Sequence, residues 1–170
     1  MKKQLIYPSL VRRLFSSVVD LILLSFIMTP IGSMINKHMF LEKFGHILRE
    51  KNIDVNDYKA LAEALQSPEF AQYSNFATMI EIMTPMLIFQ AITMIVYFTL
   101  FTTFWGATPA KYLFRLRVVD EKTLALPSIY QSFIRCMGYC LAPIGVWFIP
   151  FSKRKQGLHD HFASTVVVVK

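Results

Sequence analysis

The sequence predicts an all-α membrane protein: two full transmembrane helices, a third apolar helical segment that is kinked or re-entrant, amphipathic extracytoplasmic helices, and a small cytoplasmic β pairing. Of its 170 residues, 54% are apolar and 17% charged, where soluble domains have about 45–50% and about 25%. The apolar residues gather in long runs almost free of charge instead of spreading at core spacing. The basic residues, 18 Lys and Arg against 11 Asp and Glu, sit in short stretches at the edges of those runs. There they set topology and meet anionic headgroups, which excludes a nucleic-acid patch on a soluble domain.

From Leu14 to Asn36 the only charge is Asp20, leaving about twenty apolar residues to cross roughly 30 Å of hydrocarbon. This is the first predicted transmembrane helix, with Pro30 and Gly32 expected to kink its far end. Lys2, Lys3, Arg12 and Arg13 precede it, so the positive-inside rule places the N-terminus in the cytoplasm. The run is too long for a signal core, carries a carboxylate and lacks a small-x-small cleavage site, so it reads as an anchor.

Residues 37 to 69 carry five basic and six acidic side chains, a balance suited to the outside of the membrane. Phe40, Leu41, Phe44, Ile47 and Leu48 recur at helical spacing. After Asp54 as a candidate cap, so do Tyr58, Leu61, Ala62 and Leu65. The pattern predicts two short amphipathic helices lying on the bilayer or on each other.

Between Phe70 and Ala110 the only charge is Glu81, which predicts a second spanning helix from about Thr78 to Trp105. Phe104 and Trp105 anchor its inner end, and Glu81 reaches the outer interface. The next segment, Gly106 to Pro127, sets Lys111, Arg115, Arg117 and Lys122 against Asp120 and Glu121. Its positive balance makes it cytoplasmic. Within it Leu116 to Val119 has strand character, and Asp120 to Thr123 reads as a polar turn.

The third apolar segment, Ile129 to Phe151, contains Arg135, Pro143 and Gly145. A straight span would put Lys153, Arg154 and Lys155 outside, against the positive-inside bias. A hairpin folding back at Pro143 to Gly145 keeps the tail in the cytoplasm. The β-branched run Thr165 to Val169 favours the hairpin, because it can then pair with Leu116 to Val119. Cys136 and Cys140, four apart in an apolar stretch, form neither a disulfide framework nor a CxxC motif.

Three stretches together resemble the RDD family of small membrane proteins. Arg13-Leu-Phe-Ser-Ser-Val-Val-Asp20 is similar to the family's arginine and aspartate on the first helix. Trp105-Gly-Ala-Thr-Pro-Ala-Lys111, followed by Leu113 to Val119, is similar to its Gly-x-Thr-x-Gly-Lys turn and strand, with Ala110 standing where glycine is usual. Lys153-Arg-Lys-Gln-Gly-Leu-His-Asp160, leading to Ala163 to Val166, is similar to its basic, Asp-containing C-terminal element. The resemblance covers residues 8 to 35 and about 95 to 169, so residues 1–170 read as one such domain with a polar insert at 37–75. It implies transport of an unidentified ligand, with cation/proton exchange reported for some members.

Arg13, Asp20, Lys111 and Asp160 are therefore the candidate ion- or proton-binding residues, with Gly106, Thr108, Arg117, Arg135 and Glu81 as candidate supports. Arg13 and Asp20 share a helix face about 10 Å apart along the axis. An ionised carboxylate at the depth of Asp20 costs about 2.5–3.5 kcal/mol, so it must be protonated, paired or turned to water. Two roles stay open: a proton- or cation-binding carboxylate, or a buried ion pair with Lys111, Arg117 or Arg135 that fixes helix packing. Pairing of Arg13 with Asp160 would tie the C-terminal element to the first helix. His159 and His161 flank Asp160, but no Cys or Glu cluster completes a metal set.

No nucleophile–base pair, phosphate loop or dinucleotide glycine pattern is present, so neither an enzyme nor a cofactor is expected. Transport through so few spans implies a homo-oligomer. The expected partners are the bilayer, its anionic headgroups and a cation or proton. The alternative function is a non-transporting scaffold or accessory subunit that binds lipid or a partner protein through a basic cytoplasmic face. Positive inner loops and few cysteines suit a bacterial inner membrane.

Overall fold

The computed structural model describes residues 5–68, 70, 75–141 and 145–170. The fold is mostly helical, with two long apolar helices and one small antiparallel sheet. Two compact units form, Met1–Phe26 with Ile92–Lys170, and Ile27–Ala91.

Helix α1 runs over Leu10–Glu50, 41 residues, or about 60 Å at 1.5 Å per residue. The first of the two expected amphipathic helices is therefore not separate: Phe40, Leu41, Phe44, Ile47 and Leu48 continue α1. The boundary expected near Asn36 came from the first charge, Lys37, and charge does not stop a helix whose backbone hydrogen bonds continue. Pro30 lies inside α1. What ends α1 is Asn52, in the left-handed region at φ 53°. The Ile53 N–H donates to the Leu48 carbonyl at 2.9 Å and the Asn52 N–H to the Arg49 carbonyl at 3.1 Å. Those two bonds form a Schellman motif, which satisfies carbonyls the helix end would otherwise leave open.

Helix α2 spans Tyr58–Leu65, and its N-cap is Asp57, whose side chain accepts from the Lys59 and Ala60 N–H groups. Asp54, the expected cap, instead accepts from the Asn56 N–H in the preceding turn. In the unit Ile27–Ala91, Phe44, Ile47 and Phe70 form a core with Phe40 and Ile82 packed against it. The Phe44 and Phe70 rings lie 4.4 Å apart. Phe44, Ile47 and Leu48 of the apolar stripe at the end of α1 are thus buried by protein, while Leu41 stays exposed.

Helix α3 spans Phe76–Trp105, with the Asn75 side chain accepting from the Thr78 N–H at its start. Both long helices carry apolar stretches long enough to cross a membrane, and little of either stretch is buried. Side chains such as Phe26 and Ile92 remain exposed, and apolar surface of that extent needs lipid to cover it.

After α3 the chain turns at Gly106, φ +67°, into the short helix α4, Pro109–Leu113. Strand β1, Leu116–Asp120, leads to a turn in which Asp120 accepts from the Lys122 and Thr123 N–H groups. Helix α5, Ile129–Met137, opens with a capping box between Ser128 and Gln131. It is too short to span, so the third apolar segment is not a straight crossing. It breaks into 3-10 turns at Gly138–Leu141 and Val146–Phe148. Pro143, half of the expected hairpin corner, lies outside the described residues; Gly145 packs against Leu158.

Helix α6, Leu158–Phe162, delivers the chain to strand β2, Thr165–Val169. The strands pair antiparallel, from Leu116 opposite Val169 to Asp120 opposite Thr165. Leu116, Val118 and Val167 pack on one face with Phe114, and Val119, Val166 and Val168 on the other with Tyr7. Covering on both faces explains why β2 reads as an unbroken valine run instead of an alternation. The tail therefore lies on the same side as the Gly106–Pro127 segment.

Candidate functional site

Arg13, Ser16, Asp20 and Leu24 are all buried on a helix whose other side chains are largely exposed. Their spacing of three, four and four residues makes one stripe along α1. The stripe carries two charged nodes.

The first node is Asp20, which has no solvent exposure. Its Oδ1 accepts from the Tyr97 hydroxyl at 3.0 Å and from the Ala110 N–H at 3.1 Å. Its Oδ2 accepts from the Thr108 hydroxyl and lies 3.5 Å from the Lys111 ammonium. That ammonium also reaches the Thr108 oxygen at 3.4 Å and sits 5.3 Å over the Phe98 ring.

Local folding explains how these groups converge. Gly106 takes a backbone conformation that a side chain strains, and a Cβ there would come within 3.0 Å of the Val118 carbonyl oxygen. The turn sets Thr108 at the start of α4, with Pro109 pre-formed in the first helical position. Thr108 makes no side-chain cap of its own. Its hydroxyl goes to Asp20 instead, and Asp20 accepts from an N–H in the first turn of α4. The carboxylate on α1 thus acts as a tertiary cap for α4.

The second node is Asp160, also without exposure. Its Oδ2 accepts from Arg13 at 2.6 Å and from the Gly157 N–H at 3.0 Å. Its Oδ1 pairs with Arg135, and His159 Nε2 lies 3.5 Å away. Arg135 also donates to the Thr165 hydroxyl at 2.9 Å, and Gln156 donates to the Thr165 carbonyl at 3.0 Å. This node ties α1, α5, α6 and β2 together. Burial works to raise the Asp160 pKa, but Arg135, His159, Arg13 and the Gly157 N–H outweigh it and hold the carboxyl below its usual range. Burial dominates at His159 and, with Arg135, Arg13 and Lys111 nearby, pushes the imidazole down to about 4 despite Asp160.

Among the cations weighed as partners for Asp20, Lys111 is the one that reaches it. Arg135 goes to Asp160. Arg117 is half-buried on β1, and its Nε has no hydrogen-bond partner among the described residues. Glu81 pairs with Lys43 on an exposed surface of the other unit. His161 is exposed while His159 is buried, and no group of three or more His, Cys, Asp or Glu converges among the described residues.

Sequence reasoning missed Tyr97, Ser16, Gln156, Thr165 and Arg12. Arg12 donates to the Phe114 carbonyl at 2.9 Å, fastening α1 to the end of α4. Tyr97 left a usable signal, a hydroxyl deep inside an apolar helix, where such groups normally find a partner. Gln156 and Thr165 stand inside the C-terminal element already singled out, but a polar residue beside a turn or at a strand start gives no sign of its partner.

Chemically the nodes differ. Asp160 is held between two guanidinium groups and is fixed in its ionised form. Asp20 has one lysine, two hydroxyls and one N–H, and a hydroxyl can rotate to donate to an anion or accept from an acid.

The model of the RDD family matches residues 7–164. An uncharacterized protein of Rickettsia prowazekii (strain Madrid E) is 33% identical over 171 residues, covering 99% of each chain. No solved structure matches the chain.

Proposed function

The chain belongs to the RDD family, and from that premise we propose that this membrane protein transports an ion or small solute, by cation/proton exchange at Asp20. The observation that carries the reading is the Asp20 carboxylate. It is fully buried on the apolar first helix, about 15 Å from the helix start, and among the described residues its one cationic partner, Lys111, is 3.5 Å away. A carboxylate in that setting must keep its charge balanced. Lys111, a proton or an entering cation can each do so, and Thr108 and Tyr97 offer oxygens that reorient with the change. Lys111 is the resident counter-ion that an incoming cation displaces. Arg13, Arg135 and Asp160 hold the surrounding scaffold, and Gly106 and Thr108 place the α4 turn. The proposal is non-enzymatic. It includes a homo-oligomer, since one subunit offers few spans, and an inner-membrane location with the N-terminus in the cytoplasm.

A second reading is favoured by the exposed basic residues Arg115 and Lys122, which flank β1, together with Lys153 and Arg154, the last of which pairs with Glu121. They suit an accessory subunit that binds anionic lipid or an acidic partner.

Flux in proteoliposomes under Na⁺, K⁺ and pH gradients separates the two. Wild-type protein is expected to exchange. The double variant Asp20→Asn/Lys111→Met, which removes both charges together, is expected to fold and fall silent. Exchange that persists in the folded double variant removes Asp20 from the mechanism, and silence of well-folded wild type under every gradient moves the function to the accessory reading.

A further inference from the structure

A cavity of about 260 Å³ opens in the first unit beside the two charged nodes, just below the usual range of roughly 300–1,000 Å³ for ligand pockets. Its walls come from α1, α3, α4, α5, α6 and both strands. Leu14 and Leu21 are the most exposed residues of the lining, at 43% and 49%, so the mouth lies along the apolar surface of α1. The deeper wall contains Arg13, Lys111 and Arg135, each buried to 7% exposure or less. Phe98, Leu116 and Ile149 supply much of the remaining wall.

Charge does not balance there. Three buried cations, Arg13, Lys111 and Arg135, face two buried carboxylates among the described residues, Asp20 and Asp160. Both carboxylates are already engaged, and neither lines the cavity. Donors also remain open: Arg13 Nε and Arg135 Nε are buried without a hydrogen-bond partner among the described residues, and both residues line the cavity. Unpaired buried donors carry a desolvation penalty that a bound acceptor would relieve.

We propose that this cavity binds an anionic amphiphile, with a carboxylate or phosphate headgroup set among Arg13, Lys111 and Arg135 and an apolar chain leaving past Leu14 and Leu21. A free inorganic anion would satisfy the charge and leave the apolar wall bare. A neutral lipid would fill the wall and leave the excess cation unpaired. The site lies inside the fold, apart from the exposed basic residues, and shares Lys111 with the Asp20 node while Arg13 and Arg135 belong to the other.

Native mass spectrometry of the full chain in an uncharged detergent tests this, titrating oleate, dioleoyl phosphatidylglycerol, dioleoyl phosphatidylcholine and inorganic phosphate separately. Oleate or phosphatidylglycerol is expected to bind one per chain, at least about tenfold more tightly than phosphatidylcholine, as a charge-assisted hydrogen bond implies. Which of the two binds distinguishes a carboxylate from a phosphodiester headgroup. Two variants locate the site. Arg135→Met removes one cation, and Ser17→Phe fills the cavity while leaving the ion pairs in place. Both are expected to abolish the preference, and if Arg135→Met does not fold, Ser17→Phe decides alone. Equal binding of phosphatidylcholine, displacement of oleate by phosphate at similar concentration, or an unchanged preference in folded Ser17→Phe overturns the proposal. Because the readout is retention and not flux, its failure is separable from failure of the transport reading.

Discussion

Removing the Asp20 charge alone leaves the Lys111 ammonium buried at 5% exposure with no carboxylate beside it. Breaking a buried pair from one side costs about 3–5 kcal/mol, whereas removing both partners is often close to neutral. Asp20→Asn is therefore expected to lower the thermal midpoint and membrane abundance sharply, with Asp20→Asn/Lys111→Met recovering most of the loss. Thermal unfolding of purified variants checks it; a double variant no better than the single one would show that the ion pair is not the coupling. His159 gives a pH prediction at the same scale. Its imidazole sits at about 4 in the folded chain against roughly 6.5 when free, so the folded state keeps it neutral while the unfolded state takes up a proton. Stability from this group is present above pH about 6.5 and lost as pH falls toward 4. Asp160, held low, adds loss of the same sign at still lower pH. Thermal midpoints from pH 8 to 4 are expected to fall more steeply for wild type than for His159→Phe, and parallel curves would contradict this.

At the scale of elements, the α3–α4 turn is the piece on which the Asp20 node depends. Gly106→Ala forces a side chain into φ +67° and against the Val118 carbonyl and Leu126, a strain of about 1–3 kcal/mol. Lower thermal stability is the expected result, and a wild-type midpoint would mean the turn has another accessible conformation. The turn was legible through the family resemblance at Gly106, Thr108 and Lys111, and the strand through the β-branched Val118 and Val119 within Leu116 to Val119. The far end of α1 was not. Its stripe from Phe40 to Leu48 was visible as helical, but nothing local told a separate helix from a continuing one. The end of α1 is fixed by backbone geometry at Asn52, and Phe44 and Ile47 of the stripe pack with Phe70, more than twenty residues further along the chain and outside any helical window.

For the whole molecule, the antiparallel pairing of β1 with β2 places the tail beside the loop that follows α3. Cysteines introduced at Lys122 and Lys170 are expected to be labelled by an impermeant reagent from one side of the membrane, and at Tyr58 from the other. Labelling of Lys122→Cys and Lys170→Cys from opposite sides would be incompatible with the sheet. The sequence by itself determined the membrane class, the two long helices, the strand pair and the family, because charge-free runs, β-branched runs and motif spacing act locally. The Arg13–Asp160 pair was expected from the sequence; tertiary structure decided the rest, selecting Lys111 among three candidates for Asp20, adding Arg135 at Asp160, and bringing in Tyr97 and Thr165 as supports. A charged residue announces that it needs a counter-charge, but which of several cations supplies it depends on where distant segments cross, and that is fixed only when the chain packs.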